Sequence, residues 1–527
     1  MTDLLPTKAT FSPEEPVEIE VRGADGPVTL SLWHLDTVVA RADLEPGARS
    51  VVFPPQPESG YGVEGGGAET ALDVLADPLA RARYGFVADY AVERDVAGVV
   101  DNVRRLHLNA VQFYDWMYRH ARLLPPEDEF VDPLGRRLSL ETVRRLVDEL
   151  GRAGSLPLGY AAVYAAGRDE WPEWQDVGLY RSNGAPWTLG EDFLWNVDPT
   201  RERWQSHLAA ELREATARVG FAGFHLDQYG APKYALRPDG SRVDLAAAFP
   251  ALIGRLSQEL PQARLIFNNV NDFPTWATAG APQAAVYIEV WSPHDRIADL
   301  AFLVGRARSL APEKSVVLAS YLSVHANGDA AGALEAERLL LATVFSHGAT
   351  ALLHGEERSV LTEAYYVRHA ELSAESEDST RRYYDFAVRY GDLLFDRAAV
   401  DVTATHLGGV NEELRIDAPV PVAVEPRPGS LWARVIRTSR GLLVSLVDLS
   451  GQDDDRWDAP KRAARPLRGV RLSVERSTRD PERFLFAAPD DMPSLLALPP
   501  SGSDRYETVE LPPFRTWSLV WLPEAAP

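Results

Sequence analysis

"GFHLDQYG", residues 223–230, sets Phe224 and Leu226 on alternate positions and then delivers Asp227, Gln228 and Tyr229 in succession. The alternation reads as a buried strand, and a buried strand that ends on a carboxylate reads as one that opens onto a site. Seven further apolar runs have the same character: "YGFVADY" from Tyr84, "NAVQFYDW" from Asn109, "LPLGYAAVY" from Leu156, "RLIFNNV" from Arg264, "AAVYIEVW" from Ala284, "KSVVLASYL" from Lys314 and "ATALLHGE" from Ala349. Between them lie stretches with apolar residues at three- and four-residue spacing, such as "LSLETVRRLVDELGRAG" and "TRERWQSHLAAELREATARVG", which read as amphipathic helices. Eight strands alternating with helices over residues 81–398 predict a (β/α)8 TIM barrel in the α/β class. The glycine-rich phosphate fingerprint of a doubly wound sheet is missing after the first strand.

On either side the texture changes to short alternating runs broken by Pro and Gly. Residues 1–80, with "PVEIEVRG", "VTLSLWHL" and "RSVVFPP", read as an N-terminal Ig-like antiparallel β-sandwich. Residues 399–527, with "SLWARVIRTSRGLLVSLVDLS" and "RYETVELPPFRTWSLVWL", read as a C-terminal β-sandwich. Asp453, Asp454 and Asp455 fall in it as an exposed, solvated turn rather than a calcium loop.

The chain has 527 residues, which suits two or three compact units, and its formal net charge is -23. Such a field repels phosphate, so nucleic acid and anionic membrane surfaces are excluded as partners and a neutral ligand is expected. Cysteine is absent, which removes disulfides and thiolate chemistry. The start, "MTDLLPTKATFSPEEPVEIEV", lacks a basic segment followed by an apolar one, so a cytoplasmic location is expected, or a secreted one if a signal peptide has been removed.

Barrel sites gather at the carboxyl ends of the strands. Those ends carry Tyr114, Asp115 and Trp116; Tyr160 and Tyr164; His225, Asp227 and Gln228; Asn268 and Asn269; Glu289 and Trp291; and His354, Glu356 and Glu357. A ring of carboxylates, amides and aromatics without clustered Lys or Arg suits a sugar, whose C–H faces stack on rings and whose hydroxyls bond to the polar groups. Asp227 and Glu289 each follow a run that should be buried, and the tops of the fourth and sixth strands face each other across the mouth. Paired carboxylates so placed can flank one glycosidic bond. Asp115 is read as a sugar-binding carboxylate rather than a partner of Arg119 or Arg122, and His225 as a neutral hydroxyl partner or a satisfied core histidine. The histidines have no ligand spacing, so neither a metal nor another cofactor is expected.

In "YGFVADY", "NAVQFYDWMYRH", "FVDPLGRRLSLETVRRLVDEL", "GFAGFHLDQYG", "FNNVN", "YIEVW" and "LLHGE" the chain resembles glycoside hydrolase family 66, the dextranases and cycloisomaltooligosaccharide glucanotransferases. The resemblance implies Asp227 as nucleophile, Glu289 as general acid/base, and Tyr114, Asp115 and Trp116 as binders of the sugar next to the broken bond. Tyr160, His225, Gln228, Asn268, Trp291 and Glu356 complete the expected substrate contacts. The chain departs from the family pattern at Ala222 and Phe224, where an acid and a tryptophan are usual.

The expected activity is retaining hydrolysis of α-1,6 links in dextran or isomaltooligosaccharides, with Glu289 kept protonated by Tyr287 and Trp291 and Asp227 kept ionised by His225 or Tyr229. Two rivals stand beside it: a transglycosylase making cyclic or longer isomaltooligosaccharides, and a carbohydrate-binding barrel without catalysis. Both acids are present, which disfavours the second rival.

Overall fold

A computed structural model describes residues 2–24, 26–476, 483–502 and 505–524. All eight expected barrel strands form: β1 (Tyr84–Val87), β2 (Ala110–Phe113), β3 (Leu156–Ala162), β4 (Gly223–Asp227), β5 (Arg264–Val270), β6 (Ala285–Glu289), β7 (Ser315–Ala319) and β8 (Thr350–Ala351). They pair in parallel in chain order within one sheet. The ring is drawn shut where the Phe86 N–H donates to the His354 carbonyl at 3.1 Å. Gly355 makes that seam possible, because a Cβ there would lie 1.8 Å from the Phe86 carbonyl oxygen.

The helices are α1 (Val96–Arg105), α2 (Leu140–Arg152), α3 (Glu202–Val219), α4 (Leu245–Glu259), α5 (Thr275–Thr278), α6 (Ile297–Leu310), α7 (Ala330–Ser346) and α8 (Ala374–Arg389). Local signals set their ends. Asp95, Ser139, Asp244, Asp329 and Ser373 accept from first-turn amides of α1, α2, α4, α7 and α8. Gly220, at φ 94°, closes α3 three residues before β4 begins. The fifth crossover has a single helical turn, since Pro274 precedes it and Gly280 and Pro282 follow.

Strand alternation sorts side chains into two layers. Phe224 and Leu226 of β4 face outward into the large core shared with the helices. Tyr84, Ala110, Leu158, Ile266, Ala285, Tyr287 and Val317 fill the barrel interior. His225 and Asp227 share the inward phase, so the pattern that buries Phe224 also aims the acid up the lumen.

Two antiparallel sheets precede the barrel, one of Asp3–Pro6, Val17–Arg22 and Ser50–Phe53, the other of Thr37–Asp43, Thr29–His34, Ser59–Gly65 and Ala68–Val74. They close on Leu4, Ile19, Leu32, Phe53, Val63 and Leu72. Two more follow it, a larger one centred on Leu431–Thr438, Gly441–Asp448 and Trp517–Pro523 and a smaller one centred on Arg471–Glu475 and Tyr506–Glu510. Their core includes Val435, Val444, Leu472, Phe486, Val509 and Val520.

The N-terminal sheets are bolted to the barrel by Asp73, whose carboxylate lies 2.7 Å from Arg83 Nη1 and 3.3 Å from Arg81 Nη1. Asp73 and Arg83 are both fully buried. Asp73→Ala strands a guanidinium out of water, and we expect it to cost about 3–5 kcal/mol, read as a lowered urea midpoint. Among the described residues no helix is long and apolar enough to cross a membrane.

Candidate active site

A cavity of about 470 Å³ opens at the carboxyl ends of the barrel strands, and Asp227 and Glu289 both line it. Asn268, on the inward phase of β5, stands between them. Its amide Nδ2 donates to Asp227 Oδ1 at 2.8 Å and to Glu289 Oε2 at 3.0 Å. The two accepting oxygens are therefore no more than about 6 Å apart. The Tyr160 hydroxyl also reaches Asp227 Oδ2 at 2.7 Å, and the Tyr321 hydroxyl reaches Glu289 Oε1 at 2.7 Å, with Trp291 a further hydrogen-bond partner of Glu289.

Burial, reinforced by the charge of Glu289, pushes the Asp227 carboxyl up to about 7, against the pull of Asn268 and Tyr160. Burial likewise raises Glu289, opposed by Asn268 and Tyr321. Two close carboxylates in such a setting lose their protons in two separate steps that belong to the pair. Trp291, expected to keep Glu289 protonated, instead hydrogen-bonds it and pulls it down. The Tyr287 hydroxyl faces the Tyr366 hydroxyl at 3.2 Å, and His225 Nδ1 faces the Tyr84 hydroxyl at 3.1 Å, so neither touches an acid.

The other sequence candidates divide into those that reach the cavity and those that do not. Tyr114, Asp115, Tyr160, His225, Gln228, Asn268 and Trp291 line it. Asp115 sits at φ 45° at the end of β2, and Arg119 pairs with Asp169 instead, so the Asp115 carboxyl is left facing the cavity. Burial pushes it up to about 7 although Arg136 opposes this. His225 forms the floor one layer below Asp227, held neutral by burial, which takes it down to about 3. Gln228 spends its amide on the backbone, donating to the Asn268 and Phe273 carbonyls and accepting from Gly230 N–H, which shapes the loop after β4.

Trp116 and Glu356 lie elsewhere. The left-handed turn at Asp115 sends the Trp116 ring under the sheet, where it packs edge-on against Phe221 at 4.7 Å and donates to the Tyr160 carbonyl at 3.1 Å. Glu356 accepts from the Ala88 and Asp89 amides and pairs with Arg94, so it braces the seam of the barrel. Tyr164 and Asn269 are also buried on backbone partners, His354 pairs with Glu337 at 3.3 Å, and Glu357 with Arg94 at 2.9 Å.

Three groups of lining residues escaped the strand-end reading. Tyr321 stands two positions beyond β7. Tyr365 and Tyr366 come from the segment after β8, with Tyr366 stacked on Tyr114 at 4.3 Å and 22°. Leu189, Phe193 and Leu194 come from a small three-stranded sheet inserted between β3 and α3. The "YY" pair at 365 and 366, in a stretch without apolar periodicity, was the available signal. Among the described residues no three His, Asp or Glu side chains are grouped as a metal site requires.

The model of Glycosyl hydrolase family 66 matches residues 6–521. The chain belongs to this family. Among the relatives of this family 66 chain is a cycloisomaltooligosaccharide glucanotransferase of Niallia circulans, 26% identical over 366 residues, which are 60% of this chain and 37% of that protein. A dextranase of Streptococcus salivarius is 24% identical over 253 residues, 42% of this chain and 31% of that one. The chain thus matches about a third of the length of these relatives. A Paenibacillus sp. cycloisomaltooligosaccharide glucanotransferase, solved with cycloisomaltoheptaose, superposes with a TM-score of 0.86 at 20% identity over 98% of this chain and 99% of that one, which shows the shared fold.

Proposed function

We propose that this chain cleaves α-1,6-glucosidic bonds in dextran or isomaltooligosaccharides by a retaining double displacement. The observation that carries the reading is the single Asn268 amide bonded to both carboxylates, which keeps one oxygen of each within about 6 Å of the other and so supports a closely spaced, retaining pair. Asp227 attacks the anomeric carbon as Glu289 protonates the departing glucosyl oxygen, giving a covalent glucosyl-enzyme. Glu289 then takes a proton from water, which attacks the same carbon from the opposite side and restores the configuration. Tyr160 and Asn268 hold Asp227 in line and stabilise its charge. Asp115 offers acceptor oxygens to sugar hydroxyls, and the stacked Tyr114 and Tyr366 wall offers an apolar face.

The names of the relatives favour a second reading, in which a sugar hydroxyl replaces water as acceptor and the product is a cyclic or longer isomaltooligosaccharide. Chromatography of the products from dextran and from an isomaltooligosaccharide ladder separates the two, and proton NMR of the first-formed product reads its anomeric configuration. Newly formed α-anomer supports retention, whereas newly formed β-anomer contradicts it.

The singly protonated pair is the working state, so kcat/KM should follow a bell. The acid limb marks loss of the carboxylate, and the alkaline limb marks loss of the pair's last proton. Tyr321→Phe removes a hydrogen bond that favours charged Glu289. A bond to a charged group contributes about 1.5–3 kcal/mol, so the alkaline limb should move upward by roughly one to two pH units.

A further inference from the structure

A second cavity, of about 280 Å³, lies beside the first and shares Trp291 and Tyr321 with it. Arg456, Trp457 and Asp458 of the C-terminal region line it, together with Glu363, beyond β8. The loop that carries Trp457 is fixed to the barrel. The Asp458 carboxylate accepts from the Ser323 hydroxyl at 2.6 Å and from the Val324 N–H at 3.2 Å, and the Trp457 indole N–H donates to the His294 carbonyl at 2.7 Å.

The acidic run just before it, expected as a solvated turn, is part of the same fixture. Asp455 pairs with Arg296 of the loop after β6 at 2.7 Å, Asp454 with Lys461 at 2.6 Å, and Asp453 with Arg462 at 2.5 Å. Each carboxylate has its own cation; the Asp455 pair ties the loop to the barrel, while the other two lie within the loop, with Asp453 exposed as expected.

The position of this cavity relative to the acids gives it a role. Tyr321 donates to Glu289 and its ring is part of the wall between the two cavities. A proton donor stands on the side of the bond from which the leaving group departs, so the space beyond Glu289 is where that group lies. Its surfaces suit a sugar. Trp291 is 41% exposed and offers a flat ring. Arg456 is exposed, and its guanidinium makes no hydrogen bond or ion pair among the described residues.

We infer that this second cavity is the subsite for the glucosyl units on the leaving side of the cleaved bond, so that the C-terminal loop at Arg456–Asp458 takes part in substrate selection. The inference rests on the proposed function, because it uses Glu289 as the proton donor. In the other direction it requires that a substrate with no leaving-side sugar should not use these residues.

The test compares the wild type with an Arg456→Ala/Glu363→Ala variant on two substrates. Isomaltotetraose fills the leaving side, whereas in isomaltosyl fluoride the leaving group is a single atom. The variant's ratio of kcat/KM on isomaltotetraose to that on the fluoride should fall about tenfold or more, mainly through KM, and Arg456→Lys should restore part of it. A ratio equal to that of the wild type, whether both rates fall together or neither falls, overturns the subsite alone. A wild-type protein inert on both substrates overturns the proposed function, and with it the subsite.

Discussion

Asp227→Asn abolishes cleavage of isomaltooligosaccharides, with kcat lowered about 10⁴-fold or more, while the folded protein becomes more stable above neutral pH. The first effect follows from the loss of the attacking oxygen: water can approach the anomeric carbon in its place, but without the positioned carboxylate no covalent intermediate forms. The second follows from linkage. Asp227 is pushed up to about 7 in the folded chain by burial and by Glu289, above its ordinary value, so folding holds a proton that the unfolded chain releases. Stability therefore declines as pH rises from the ordinary carboxylate range towards 7, and the full penalty is present above that. Asparagine carries no charge and avoids it. At pH 8 the variant should unfold at a higher temperature than the wild type, and at pH 4 the difference should shrink. An inactive variant that is less stable at pH 8 would mean that Asp227 serves the fold, and its activity loss would say nothing of chemistry.

Glu289→Gln should separate the two steps that one residue performs. With isomaltooligosaccharides, whose leaving oxygen needs a proton, kcat should fall about 10³-fold or more. With isomaltosyl fluoride the departing atom needs little protonation, so the glucosyl-enzyme still forms and its breakdown becomes limiting. Added azide, a nucleophile that requires no general base, should then accelerate turnover and appear in the product. The pH profile carries a further sign. Removing Glu289 removes the repulsion that helps to raise Asp227, so the acid limb should move to lower pH and the alkaline limb should disappear. Equal loss on both substrates without azide rescue would remove Glu289 from the acid/base role.

The barrel was legible because each of its strands carries the same local signal, an apolar run followed by polar or aromatic residues at the mouth. Period-two alternation in "GFHLDQYG" gave both the burial of Phe224 and Leu226 and the inward aim of His225 and Asp227. Asn268 was read as a sugar contact from its place at a strand end, yet its use as a bridge between two acids depends on the register of β5 beside β4 and β6, which no single strand reveals. Trp116 misled for a backbone reason: the left-handed turn at Asp115 reverses the phase that the alternation predicts. Glu356 sits where the mouth should be, but the short β8 ends early and two backbone amides across the seam claim its carboxylate. Tyr321, Tyr365 and Tyr366 were missed because they act from beyond the strand ends, on segments whose path is set by tertiary packing.

The measurement that tests the central claim most directly is a covalent trap. The enzyme is incubated with 5-fluoro-α-isomaltosyl fluoride, whose ring fluorine slows the second step more than the first, and its peptic peptides are sequenced by mass spectrometry. The account predicts one added isomaltosyl unit, carried by Asp227. An enzyme that turns over isomaltooligosaccharides but takes up no label, or takes it up on another residue, would contradict the retaining pair built around Asn268.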